Sequence, residues 1–143
     1  MAVNAGQRHV PDTPANRQLD AGVKARELAE HTIKCCANRK IFLPDYDAGI
    51  TNDLLMLAKN IYLDVWAANN IQVRDDHEKW KRRSALQERA AVECNNLLAL
   101  LSLAKSVFHL KSKKVAYWAR MTIDARNLIR KWHDGDVKRY GTL

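Results

Sequence analysis

From about residue 20 onward, apolar residues recur at three- and four-residue spacings, the period of a helix with one buried face. Four such segments follow one another. The first is predicted from about Asp20 to Ala37, with Asp20 as its N-cap and Val23, Leu28, Ile33 and Cys36 among its apolar positions. The second runs from about Ala48 to Asn70, the third from about Asp75 to Leu110, and the fourth from Ser112, a good N-cap, to a stop at Gly135. The short third connection makes the last two helices antiparallel neighbours. The prediction is an all-α, antiparallel four-helix bundle over residues 20–143. Residues 1–19 carry two prolines and almost no periodicity, and are expected to be a tail, disordered or ordered only against a partner.

Projection at 100° per residue shows where one core does not suffice. On the second helix, Ile50, Leu54, Leu57, Ala58, Ile61, Val65 and Ala68 form the inner stripe, while Leu55, Tyr62 and Trp66 form a second ridge beside it. Met56 and Leu63 lie nearly opposite the core. A small bundle has no fully central helix, so Leu55, Tyr62 and Trp66 are expected to meet another subunit. On the fourth helix, Val115, Trp118, Ala125, Ile129 and Trp132 make the core stripe, widened by Met121 and Leu128. Arg126 and Arg130 line its edge, and Arg120 and Lys131 point to solvent.

Composition narrows the function classes. The chain has 143 residues, one domain's worth, with only five Gly and three Pro, too few turn residues for a sandwich or barrel. Its three cysteines suit neither a disulfide framework nor a CxxC pair. The first twenty residues lack a signal-peptide apolar region, and no apolar run approaches the ~20 residues of a membrane span. The expectation is a cytoplasmic protein without a membrane partner.

Charge adds a direction. The formal net charge is +8, and residues 111–143 hold nine bases against three acids. Such a bias points to an anionic partner. The segment Lys79-Trp80-Lys81-Arg82-Arg83 opens the third helix, where bases oppose the helix dipole. Lys79 and Arg83 project toward the core face, and Arg82, Arg89 and Asn96 repeat every seven residues beside it. Unpaired cations cannot sit in a core, so this end is expected to open onto solvent, a groove or a partner.

Chemistry-bearing motifs are sparse. Arg126 and His133 fit the loose R-x₆-H pattern of HEPN-type ribonucleases, in which the histidine would move a proton at a phosphodiester. His31 and Cys35 are four apart but have no further ligands spaced to complete a tetrahedral site, so no metal is expected. There is no P-loop, GxGxxG, GxSxG or HExxH, and no cofactor is expected.

Three stretches carry a family resemblance: LAEHTIKCCANRKIFLPDYDAGITNDLLMLAKNIYLDVWAANN, RDDHEKWKRRSALQERAAVECNNLLALLSLA and KSKKVAYWARMTIDARNLIRKWHDGDVKRYG. The most specific features are the Phe42–Pro44 loop, the long basic third helix, and a last helix ending in Trp132, Asp136, Arg139 and Tyr140. In these the chain resembles the four-helix-bundle proteins that include the accessory variability protein (Avd) of diversity-generating retroelements. A sister branch is encoded in intervening sequences of bacterial ribosomal RNA genes. The resemblance implies a non-enzymatic homopentameric barrel that binds a reverse transcriptase and its structured template RNA during mutagenic cDNA synthesis. It further implies RNA or polymerase contacts at Lys79, Arg82, Arg83, Arg89, Arg120, Arg126, Arg130 and Lys131. The alternatives are a HEPN-like ribonuclease using Arg126 and His133, and an RNA-binding bundle of the ribosomal-insertion kind.

Overall fold

A computed structural model describes residues 10–143. The part of the expected tail that falls on residues 1–9 lies outside them. The described chain forms four long helices: α1 (Pro14–Cys36), α2 (Asn52–Asn69), α3 (His77–Phe108) and α4 (Ser112–Tyr140). Each packs on its neighbours in the order α1–α2–α3–α4, and α4 returns to α1, closing an antiparallel four-helix bundle. Leu28, Leu54, Ile61, Val65, Leu97, Leu101, Trp118, Ile129 and Trp132 are fully enclosed within it.

The helix ends follow local chemistry that periodicity does not show. Helix α1 begins at Pro14 and not at Asp20. Thr13 is extended and its side chain accepts from the backbone N–H of Asn16 at 3.2 Å, while Pro14 stands in the first turn, where its missing N–H costs nothing. Asp20 is an exposed mid-helix residue. At the start of α3, Asp76 accepts from the N–H groups of Glu78 and Lys79. Ser112 is the first residue of α4 and not its cap; Lys111 holds that place without a side-chain bond. Between α3 and α4, His109 takes the left-handed conformation (φ 54°) that terminates a helix. Gly135 does not end α4, which runs on to Tyr140.

The bundle has two unlike ends. At the α1–α2 and α3–α4 turns, Phe42 is completely buried and packs on Phe108 and Trp118 with ring centroids 4.8 and 6.2 Å apart. A 3₁₀ turn (Pro44–Tyr46) and a π turn (Asp47–Thr51) lead from there into α2. Arg39 clamps this loop through both carboxylate oxygens of Asp47 at 2.6 Å. Trp118 Nε1 donates to Thr32 Oγ1 at 3.0 Å, so its polar atom is satisfied within the core. The opposite end is polar and cationic.

By length and composition α3 is the one described helix that could cross a membrane. Its apolar positions Leu97, Leu101, Ala104 and Phe108 face the bundle core, and Arg83, Gln87 and Glu93 are buried along the same helix.

Candidate nucleic-acid interface

At the polar end, α1 starts, α2 ends, α3 starts and α4 ends. Arg83, expected to face an RNA or a groove, is buried here. Its Nε donates to Asp136 Oδ2 at 2.8 Å, Nη1 to the Ile71 carbonyl at 3.0 Å, and Nη2 to Gln18 Oε1 at 3.3 Å. Gln87 Nε2 donates to the same Asp136 oxygen at 2.8 Å, and the guanidinium carbon lies 5.1 Å from the centre of the Trp132 ring. The side chains of Arg83 and Asp136 are 7% and 1% exposed. Sequence spacing placed this cation correctly on the core face; its partner, 53 residues away, removes the need for an opening. Arg83 is therefore a framework residue that ties α3 to α4, α1 and the α2–α3 loop.

Arg89 is also engaged. Its fork meets Asp64 of α2 at 2.9 and 3.1 Å, with Glu93 3.9 Å away, but the side chain stays 63% exposed. Burial, then the hydrogen bond and charge of Asp64, push the Glu93 carboxyl up to about 8. Lys79 and Arg82 stand exposed on α3, and Arg120, Arg130 and Lys131 on α4. Arg126 is half-buried and donates to Asn95 of α3 at 3.0 Å.

A cleft of about 610 Å³ opens between the first turn of α1 and the last turns of α4. Arg17, Arg130, Lys131, Lys138 and Arg139 line it, against only Asp12 and Asp134. Lys138 and Arg139 also suit the negative end of the α4 dipole, which stabilises each by about 0.3–1 kcal/mol. That effect fades within one turn, so it does not account for Arg17, Arg130 and Lys131. Helix α1 presents its positive end at the same cleft and has no acid in its first turn.

Gly135 explains how Arg17 is held there. A Cβ at this position would come within 2.5 Å of Arg17 Nε, 2.7 Å of Nη2 and 2.8 Å of Cζ. A glycine inside a helix costs about 1 kcal/mol relative to alanine, and here the missing side chain seats a guanidinium. Nη1, on the other side of the fork, holds Asp12 at 2.9 Å. Apolar periodicity does not point to Arg17, Lys138 and Arg139: Arg17 falls in the expected tail, and the other two follow the expected stop at Gly135. The Thr13-Pro14 pair, a cap followed by a first-turn proline, was the available signal for Arg17.

No family model, curated protein or solved structure matches this chain. The geometry alone therefore ranks the remaining candidates.

His133 Nε2 lies 2.8 Å from Ser84 Oγ and 3.9 Å from Glu88, and its ring stacks at 6.0 Å on Trp80. Neither it nor Arg126 lines the basic cleft. His31 and Cys35 touch each other at 3.4 Å, and burial lowers the His31 pKa and raises that of Cys35. Among the described residues no three His, Cys, Asp or Glu side chains are grouped to hold a metal.

The outer face of α2 exposes three large apolar side chains around Lys59. Met56, Leu63 and Trp66 are 49%, 54% and 56% exposed. Of the ridge named from sequence, Trp66 is bare, while Leu55 and Tyr62 are half-buried against the core. Leu19 and Val23 of α1 extend the face on one side, and Leu103 of α3 on the other.

Proposed function

We propose that the protein is a non-catalytic, self-associating RNA-binding bundle that serves as accessory subunit to a reverse transcriptase, as the resemblance to the Avd group implies. The observation that carries the RNA reading is the convergence of cations from two helices on one cleft, and Arg120 adds an exposed cation farther back along α4. Arg82 and Lys79 add exposed charge on α3. Phosphate-dominated binding is the chemistry such a surface performs, and it needs no catalytic group. The apolar face of α2 supports assembly into a ring, a pentamer by analogy, in which the basic surfaces repeat around the axis. Against the ribonuclease alternative stands the position of Arg126 and His133 outside the lining of the basic cleft.

The test is RNA affinity as a function of salt. Arg120→Gln combined with Arg130→Gln should reduce the slope of log K against log salt by about 1.4, since each phosphate contact to a single strand contributes about 0.7. Arg89→Gln should reduce the slope by less than one full contact, because Asp64 already holds its fork. Equal slopes in the wild type and the first variant would overturn the reading, as would RNA cleavage that vanishes in Arg126→Ala and His133→Ala.

A further inference from the structure

Asp12 occupies an unusual place. It lies on the short segment before Thr13, its side chain is 59% exposed, and yet its Oδ1 is held by Arg17 Nη1 at 2.9 Å and approached by Lys131 Nζ at 3.7 Å. The Arg17 hydrogen bond holds its carboxyl below the usual carboxylate range, helped by the charge of Lys131. The segment is tied down near it at the Pro11 carbonyl, which accepts from Asn16 Nδ2 at 2.8 Å and from the Thr13 backbone N–H at 3.0 Å. A single carboxylate sits among five cations, with Asp134 the only other acid lining the cleft.

We propose that the cleft receives the terminal phosphate of a nucleic-acid strand, and that Asp12 stands in that phosphate's place in the free protein. The inference rests on the RNA reading above. Three features favour a terminal phosphate over a backbone phosphodiester. The cations come from two helices, Arg17 on α1 and Arg130, Lys131, Lys138 and Arg139 on α4, and line one cleft, which suits a compact dianion. The Arg17 fork is fixed against Gly135 with Nη1 presented, which preorganises one hydrogen bond to an oxyanion. The cavity, about 610 Å³, accommodates one nucleotide with its phosphate. Entry of the phosphate displaces Asp12, a monoanion on a lightly tethered segment, and leaves the helices where they are.

Fluorescence anisotropy on the full chain tests this with one short RNA prepared with a 5′-phosphate, a 3′-phosphate or hydroxyls at both ends. One of the phosphorylated forms should bind about tenfold tighter than the hydroxyl form, the gain expected of one added charge-assisted contact. Asp12→Asn should widen that preference several-fold, and Glu30→Gln, which removes an exposed acid of α1 outside the cleft, should not. Arg17→Ala should abolish the preference; because Arg17 also packs on α4, Lys131→Gln and Lys138→Gln, both at exposed positions, should each reduce it with helicity unchanged. RNA that binds equally well with and without end phosphates, in the wild type and in Asp12→Asn alike, would overturn the inference and leave the RNA reading standing. Absence of binding to every RNA would overturn both readings.

Discussion

The Arg83–Asp136 pair offers the sharpest test of the structural reasoning. Asp136→Asn keeps the shape of the side chain and removes its charge. Arg83 would then be a buried cation facing two neutral acceptors, the Ile71 carbonyl and Gln18, and the Trp132 ring. Breaking one partner of a buried pair costs about 3–5 kcal/mol, and the remaining acceptors place this case near the lower end, about 3 kcal/mol. For a domain of this length each kcal/mol shifts Tm by about 3–4 °C, so the loss should be about 10 °C. Chemical denaturation should show the same change in midpoint without a change in slope. The double variant Arg83→Met, Asp136→Leu removes both charges, and should recover most of the loss, less about 1 kcal/mol for the orphaned Gln87 amide. None of these variants should alter the salt dependence of RNA binding beyond the loss of folded protein. A Tm change under about 3 °C in Asp136→Asn would refute the reasoning, and a flattened salt slope at intact stability would return Arg83 to the RNA surface.

Gly135→Ala should raise stability by about 1 kcal/mol in an Arg17→Ala background, where helix propensity acts alone, and by clearly less in the wild type, where the new Cβ must push the guanidinium away; equal effects in both backgrounds would mean the contact carries no energy. Glu93, with its pKa raised from 4.5 to about 8, keeps a proton in the folded state that the unfolded chain has released. Its contribution to stability is therefore present at low pH and is lost as pH rises through that window, and Glu93→Gln should flatten the decline seen in thermal melts between pH 5 and about 8. Leu63→Glu with Trp66→Glu should convert the proposed ring to monomers, read by light scattering, with little change in monomer stability, since both side chains are more than half exposed; a monomeric wild type at micromolar concentration would refute the ring.

The bundle core was readable because its signal is repeated. Leu54, Ala58, Ile61, Val65 and Ala68 on α2, and Ala90, Leu97, Leu101 and Ala104 on α3, all lie buried as their spacing requires. The first turns of α1 were not, because Asn16, Arg17 and Gln18 are half-buried by polar contacts and leave no apolar period. Gly135 read as a helix stop for a related reason: the residue that justifies it, Arg17, belongs to another helix more than a hundred positions earlier. Arg83 carried a true signal, a cation on a core face, but only the three-dimensional register of α3 against α4 shows that Asp136 answers it. Arg89 likewise reads as a free charge along α3, and its partner Asp64 stands on α2. Pairing across helices depends on relative rotation and shift, which a pattern along one helix does not encode.

Because α4 returns to lie against α1, the described chain is almost a closed circle: Asp12 sits beside Lys131, and Arg17 rests on Gly135. The bundle is in this sense indifferent to where the circle is cut. A permutant with its ends joined and its new opening at the His109 turn would retain every pair of neighbouring helices, since that turn holds no buried polar network. The same topology that makes the fold easy to re-cut thus brings the first turn of α1 and the last turns of α4 together at the cleft where the cations gather.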